Sequence, residues 1–210
     1  MNTEMDGAWR EILNHAVSPF SDGVRNLRIQ AWHAPETEAV RPERTAAVLV
    51  PILDRALPCI VLTRRAGHLA KHPGQISFPG GSVDDQDSTA VETALREAHE
   101  EIGLDPQAVT PLGFLDRVDT VSGYRVLPVV GLVSAQARWV PDRNEVDEVF
   151  ELPLDRALDR STYERREIER DGALHVIYSM NWQGKVIWGV TAAILLNLAR
   201  RAERAGGLVT

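Results

Sequence analysis

Apolar residues recur at helical spacing in three parts of the chain. Residues 6–17 carry an apolar stripe, residues 88–103 carry an alanine-rich stripe opposite an acidic one, and residues 190–205 carry a third stripe. Each stripe returns every three or four positions, which is the period of an α-helix. The sequence therefore predicts three amphipathic helices, of which the central one is the clearest.

Signals for helix ends mark the central segment and a later one. Asp87 or Ser88 can cap the first turn of the central helix, and Gly103 can end it in a left-handed conformation. Residues 145–158 also predict a helix, although Pro153 interrupts the pattern. A further helix is therefore expected in the last third of the chain.

Short apolar runs with many β-branched residues predict strands between these helices. The first two runs are separated by a polar turn and the last two by a Gln-Gly pair, so each couple predicts a hairpin. Strands that cluster around separate helices favour an α+β domain, with the helices packed on a mixed sheet. The predicted strands are residues 46–53, 58–63, 76–78, 109–118, 124–134, 174–180 and 185–188.

Composition adds little to this fold class but excludes several functions. The chain has 210 residues, 44% of them hydrophobic and 25% charged, as in an ordinary globular protein. The single cysteine, Cys59, excludes an intrachain disulfide and is expected to be inert in the core. No apolar stretch is long enough for a membrane span or a secretory signal, so a cytoplasmic protein without a membrane partner is expected. The formal net charge of −7 argues against a nucleic-acid partner.

That net charge is concentrated in one short segment. Residues 84–105 contain eight acidic residues and one basic residue, Arg96, so the other 188 residues carry no net charge. A solvated helix face is one explanation for such a charge run. The order of the acidic residues within the segment supports another.

Three glutamates fall on one face of the central helix. Glu97 and Glu101 are four residues apart, and Glu100 follows Glu97 by three. Their charges repel at this spacing, whereas hard carboxylate oxygens together suit Mg²⁺ or Mn²⁺. Upstream, Gly80 and Gly81 form a turn whose backbone can approach a metal or a phosphate closely. The combination favours a metal site over a solvated acidic face.

The same segment resembles the signature box of the Nudix hydrolases. The second half of that box reads Arg-Glu-U-x-Glu-Glu-x-Gly-U, where U is aliphatic, and Arg96–Leu104 matches it with Ala98 as a small U residue. The first half differs, since Gly81 lies one residue further from Arg96 than in the general pattern and the isolated glutamate is absent. Asp87 or Ser88 falls near that place.

The residues before the box resemble the coenzyme A pyrophosphatase branch of this family. Residues 61–66 (VLTRRA), 72–75 (HPGQ) and 78–81 (FPGG) match the motif of that branch, with Ala66 where serine is usual. That branch also has the box with an extra residue. Two later segments are similar to it as well: residues 144–153 and 187–195.

The resemblance implies a Nudix-type α/β/α sandwich with a mixed central sheet at residues 41–205, preceded by a helix and lead-in at residues 1–40. It implies an enzyme that hydrolyses the diphosphate bond of coenzyme A or its derivatives to adenosine 3′,5′-bisphosphate and 4′-phosphopantetheine, or acyl-phosphopantetheine. One alternative is a Nudix hydrolase for another nucleoside diphosphate derivative, such as ADP-ribose. A non-catalytic nucleotide sensor is a second, against which the intact glutamate set argues.

The resemblance also assigns roles by motif position. Glu97, Glu100 and Glu101 would bind Mg²⁺ or Mn²⁺, one of them could act as a base, and the Gly80 carbonyl would be a further ligand. Arg96 would orient a glutamate. Together these residues form the expected catalytic and metal site.

Further residues extend this expected site. Glu145 and Glu148 are candidates for a distal acid. The basic stretch before the box fits a polyanionic substrate, although Lys71 in that stretch is expected to be a solvated loop charge. His72 has no spaced partner, so it is expected to be a structural or hydrogen-bonding histidine and not a metal ligand. The candidate substrate-binding residues are Arg64, Arg65, His72 and Gln75.

The expected partner is a small molecule, coenzyme A or acyl-coenzyme A, and the resemblance allows a homodimer. Trp9, Trp32 and Trp139 are expected to pack in the interior. Trp188 and Thr191 open the last helix, and there packing and substrate contact are equally supported.

Overall fold

The computed structural model describes residues 5–20, 44–120, 123–170 and 173–206, which form four α-helices and eleven β-strands. The helices are α1 (Met5–Ala16), α2 (Ala90–Ile102), α3 (Leu154–Leu158) and α4 (Val190–Arg204). The strands are β1 (Arg44–Asp54), β2 (Cys59–Arg65), β3 (Ile76–Ser77), β4 (Gly80–Ser82), β5 (Val109–Phe114), β6 (Val118–Asp119), β7 (Tyr124–Ser134), β8 (Val146–Pro153), β9 (Tyr163–Arg170), β10 (Ala173–Trp182) and β11 (Lys185–Trp188).

The larger sheet is built around β1. This strand pairs in parallel with β7 along its whole length, from Arg44 opposite Tyr124 to Asp54 opposite Ser134. It pairs antiparallel with β2 and β4, and β2 pairs antiparallel with β3 and β8. The sheet is therefore mixed, as the sequence predicted. Strands β9, β10 and β11 form a separate antiparallel sheet.

Helices cover both faces of the larger sheet, because successive side chains of its buried strands point to opposite sides. In β1, Leu49 packs with the apolar side of α2, whereas Val50 packs with α1, α3 and α4. Each face thus has its own hydrophobic core, called here the α2 side and the α4 side. This arrangement confirms the α+β class and the sandwich of helices around a mixed sheet.

The predicted helix at residues 145–158 was wrong over most of its length. Residues Val146–Pro153 form β8, and only Leu154–Leu158 are helical. Residues Cys59 to Arg65 of β2 offer β8 a continuous antiparallel partner, and this pairing outweighs the weak helical periodicity. Pro153 ends the strand and stands at the N-cap of α3, where its missing N–H costs nothing.

Two other strand predictions changed. The predicted strand at residues 109–118 is divided into β5 and β6. Strand β9 was not predicted at all, because its sequence YERREIER is charged at most positions and carries no alternating apolar signal. Its pairing partner β10 supplies the hydrogen bonds that make it a strand.

Helix α1 belongs to the α4-side core. Trp9 and Leu13 are buried there, which confirms the packing prediction for Trp9. Arg201 of α4 ties the end of α1 down by donating to Ser18 Oγ at 2.8 Å. Trp139 is partly buried against the α2-side core, whereas Trp32 lies outside the described residues. Among the described helices, none has the length and apolar character needed to cross a membrane.

Candidate active site

Helix α2 carries the predicted glutamates and is capped at both ends. Thr89, rather than Asp87 or Ser88, is the N-cap: its hydroxyl accepts from the Glu92 N–H, and the Glu92 carboxylate accepts from the Thr89 N–H. This reciprocal capping box satisfies donors that the first turn would otherwise leave unpaired. Gly103 ends the helix with φ 66°, as predicted.

The three glutamates differ strongly in exposure. Glu101 is buried at 4% relative exposure, whereas the side chains of Glu97 and Glu100 are 17% and 56% exposed. The Glu101 carboxylate accepts a hydrogen bond from the Gly80 N–H at 3.3 Å and lies 3.8 Å from Arg65 Nη1. Buried carboxylates are costly unless they are paired with positive charge. Glu101 is therefore the member of the set that most needs a cation.

Strand β4 packs closely against the glutamate face of α2. A Cβ atom on Gly81 would stand 2.5 Å from Glu97 Oε2, closer than real Cβ atoms approach. Glycine at this position therefore leaves the space that the Glu97 carboxylate occupies. The predicted close approach of the Gly-Gly turn is present, and it brings the backbone against two of the three glutamates.

The pKa values of the two inner glutamates are raised. Burial raises the pKa of Glu101 to about 8, and the Gly80 N–H and Arg65 oppose this only in part. Burial also raises the pKa of Glu97, against the opposing effect of Arg96. The Glu145 carboxylate adds like-charge repulsion to both groups. The region around Glu97 and Glu101 thus has more acidic groups than the nearby basic side chains can neutralise.

Arg96 lies beside this region and holds several acids at once. Its guanidinium donates to Glu97 at 2.9 Å, to Glu100 at 3.0 Å and to Asp87 at 2.8 Å. The hydrogen bonds from Arg96 hold the pKa of the Asp87 carboxyl far below its usual range. Sequence reasoning missed this partner, although Asp87 stands near the place of the isolated box glutamate, and that position was the available signal. Arg96 thus contacts two of the three glutamates, and its orienting role stays a prediction.

The donors of this face fit a hard divalent cation. The pKa values of the Glu97 and Glu101 carboxyl groups are raised, and a bound cation would lower both. Within the described residues, no three acidic, histidine or cysteine side chains are already grouped as a metal cage. Carboxylate oxygens are ligands that suit a hard divalent cation, so Glu97 and Glu101 are the residues that could hold one.

The two candidates for the distal acid lie in different surroundings. Glu145 lies next to the loop that follows β2, where its carbonyl accepts from the Ala66 N–H at 2.8 Å, and its negative charge contributes to the raised pKa of Glu97 and of Glu101. Glu148 instead forms ion pairs with Lys185 at 3.1 Å and Arg64 at 3.4 Å. The structure thus brings Glu145, and not Glu148, towards the glutamate face.

The substrate-binding candidates are also divided. Arg65 lies beside Glu101, and its Nε is buried without a hydrogen-bond partner in the described part of the chain. The Gln75 carbonyl accepts from the Arg65 N–H at 3.0 Å, so Gln75 lies next to this site. His72 is exposed in the loop with φ 55°, and Arg64 points away towards Glu148.

The residues at the start of α4 lie beside the segment that contains Gln75. Thr191 is buried and donates to the Ile76 carbonyl at 3.0 Å, which is a packing role. Trp188 is 45% exposed. The Gln75 side chain is close to Gly189, since its Nε2 would lie 3.9 Å from a Cβ on that glycine. The two residues that the sequence left open therefore differ, with Thr191 holding the fold and Trp188 facing solvent.

Comparison with known proteins agrees with this geometry. A NUDIX domain model matches residues 43–171. A protein of Pectobacterium atrosepticum, described as an uncharacterized Nudix hydrolase NudL, is 46% identical over 172 residues, which cover 82% of this chain and 90% of that protein. A protein of the same description from Salmonella newport is 42% identical over 190 residues, covering 90% and 94%.

A solved structure shows the same fold. The Nudix hydrolase RenU from M. Smegmatis superposes with a TM-score of 0.52 at 21% sequence identity, and the match covers 80% of this chain and 89% of that one. These findings confirm the resemblance at the level of the family, although not of its coenzyme A branch. The chain belongs to the Nudix hydrolase family, whose enzymes act on pyrophosphate bonds.

Proposed function

We propose that this enzyme hydrolyses the diphosphate bond of coenzyme A or its derivatives. The supporting observation is that the upstream motif and the box meet at one site: Arg65 lies 3.8 Å from Glu101, and the Gly80 N–H donates to the same carboxylate. The segment that resembles the coenzyme A branch thus forms part of the wall of the glutamate site. Water would add to one phosphorus, the bridging P–O bond would break, and the products would be adenosine 3′,5′-bisphosphate and 4′-phosphopantetheine, or its acyl form.

Mg²⁺ or Mn²⁺ would be held by Glu97 and Glu101, with Glu100 at the exposed rim and the Gly80 carbonyl as a further ligand. When bound, such an ion neutralises phosphate charge and makes a water more acidic. Arg96 acts indirectly, since its hydrogen bonds to Glu97 and Glu100 fix the direction of both carboxylates.

Arg65 and Glu145 complete the proposed site. The Arg65 side chain is 27% exposed, and its ion pair with Glu101 is as long as 3.8 Å, so the guanidinium retains N–H donors for a diphosphate oxygen. The negative charge of Glu145 acts on the inner glutamates, and this residue is free of the two ion pairs that engage Glu148, which makes it the better distal acid. Gln75 lies next to Arg65 and would contact the same substrate.

The test is product analysis on the purified protein with Mn²⁺. Free coenzyme A, its disulfide and an acyl thioester are each incubated with enzyme, and adenosine 3′,5′-bisphosphate is quantified by chromatography. We expect release of this product from at least one form, and release at least roughly 100-fold slower from a Glu97→Gln preparation of equal stability. Absence of the product from all three forms, with turnover of ADP-ribose in the same buffer, would overturn the proposal in favour of another Nudix substrate.

A further inference from the structure

A second group of charged side chains lies near the end of β2, outside the glutamate site. Glu148 Oε1 forms an ion pair with Lys185 Nζ at 3.1 Å, and Arg64 Nη2 lies 3.4 Å from Glu148 Oε2. These three residues are called here the Lys185 cluster. Two cations share one carboxylate, so the cluster has an excess of one positive charge.

The Lys185 cluster and Arg65 lie on opposite faces of the same strand end. Arg64 and Arg65 are consecutive in β2, and successive side chains of a strand point to opposite sides. Arg65 reaches Glu101 on the α2 side. The Lys185 ammonium lies 5.2 Å from the ring centre of Phe150, which packs against the α4-side core. The cluster is therefore on the α4 side.

Both cations of the cluster have donors to spare. A guanidinium has five N–H donors and an ammonium has three. In the described part of the chain, Arg64 has one ion-pair contact, and its side chain is 46% exposed. The Lys185 side chain is 25% exposed, and its ammonium lies over the Phe150 ring. Glu148 thus keeps two cations close together while most of their donors remain open to a ligand.

We propose that Arg64 and Lys185 bind a phosphomonoester of the substrate, with Glu148 as the positioning residue between them. This site is separate from the one that holds the scissile diphosphate beside Arg65. The inference rests on the proposed function, because coenzyme A carries a 3′-phosphate besides its diphosphate, whereas ADP-ribose does not. A substrate that crosses the end of β2 would meet cations on both faces of the strand.

The binding test uses two probes that need no hydrolysis, adenosine 3′,5′-bisphosphate and adenosine 5′-monophosphate. Calorimetry on the wild-type protein should show roughly tenfold or greater preference for the bisphosphate, the size expected for charge-assisted contacts. Lys185→Met keeps the apolar stem and should abolish most of that preference. Lys185→Arg should retain it. Arg166→Met, which removes an exposed cation from β9 in the same sheet as Lys185, should also retain it.

The kinetic test compares coenzyme A with dephospho-coenzyme A. In Lys185→Met, the KM for coenzyme A should rise roughly tenfold, while the KM for dephospho-coenzyme A and both kcat values stay close to wild type. Equal effects on the two substrates, or a bisphosphate preference that survives in Lys185→Met, would overturn the subsite. If the wild type hydrolyses neither substrate, the proposed function fails, while the binding probes still decide the subsite.

Discussion

Strand β2 ends between two charged groups that are made from the same residue types but differ in burial. On the α2 side, Glu101 is 4% exposed and has one distant arginine, so burial raises its pKa to about 8. On the α4 side, Glu148 is about one-third exposed and has two cations within 3.4 Å. One group is short of positive charge and the other has a surplus. Neighbouring positions of one strand, Arg64 and Arg65, thus lie in surroundings of opposite charge balance, and the two proposals assign them to different phosphates of one substrate.

The largest effect is expected when the carboxylates on the α2 side are replaced by neutral amides. Glu97→Gln and Glu101→Gln should each lower kcat by roughly 100- to 1,000-fold, because the cation that offsets phosphate charge would lose a ligand. The measurement is the rate of product release with saturating Mn²⁺, beside the melting temperature of each variant.

Glu203→Gln, an exposed change in α4, is the matched control and should retain wild-type turnover. Normal rates in both inner-glutamate variants would remove the basis of the metal assignment.

The two distal-acid candidates give the next largest contrast. Glu145→Gln should lower kcat by about 100-fold, as expected for loss of a group that moves a proton or orients the water. Glu148→Gln should act mainly on KM, by several-fold, because it disturbs the spacing of Arg64 and Lys185. Steady-state kinetics on coenzyme A separate the two parameters. A kcat loss confined to Glu148→Gln would reverse the assignment.

The raised pKa of Glu101 predicts a pH effect on the stability of the metal-free protein. Its folded-state value of about 8 lies above the ordinary carboxyl value of 4.5. Its contribution to stability is therefore complete below pH 4.5 and is lost as the pH rises through 8. Urea unfolding in a chelating buffer should show a decline in the free energy of unfolding of about 4 kcal/mol between pH 5 and pH 8.5, at about 1.36 kcal/mol for each pH unit between the two pKa values.

In Glu101→Gln this part of the decline should be absent, since the amide does not titrate. Added Mn²⁺ should reverse the decline in the wild-type protein, because an ion that binds only the folded state stabilises it. Identical pH profiles for the variant and the wild type would show that Glu101 is solvated instead.

Local signals predicted the glutamate face well. The signals for this face all come from one helix: the spacing of Glu97 and Glu101, the apolar stripe of α2 and the terminal Gly103. Within a helix, the separation of two residues in the sequence determines their separation in space. The fold class followed from the same kind of signal. By contrast, the cap at Thr89 differed from the prediction by one or two positions, because several polar residues there could serve.

Contacts between distant segments were harder to predict. Strand β8 has a weakly helical pattern, and only its pairing with β2 makes it a strand. The partners of Arg64 could not be predicted, because Glu148 lies in β8 and Lys185 in β11. Lys185 also belongs to no motif. Asp87 lay outside the matching half of the box, so its ion pair with Arg96 appeared only in three dimensions.

Gly81 has a consequence for how this enzyme can change over time. Any other amino acid there would place a carbon atom 2.5 Å from the Glu97 carboxylate. Even alanine, the smallest replacement, would therefore require the Glu97 carboxylate to move, and Glu97 is a proposed ligand of the ion. A substitution at position 81 can therefore alter the proposed metal site from the backbone side, without changing any of the three glutamates themselves.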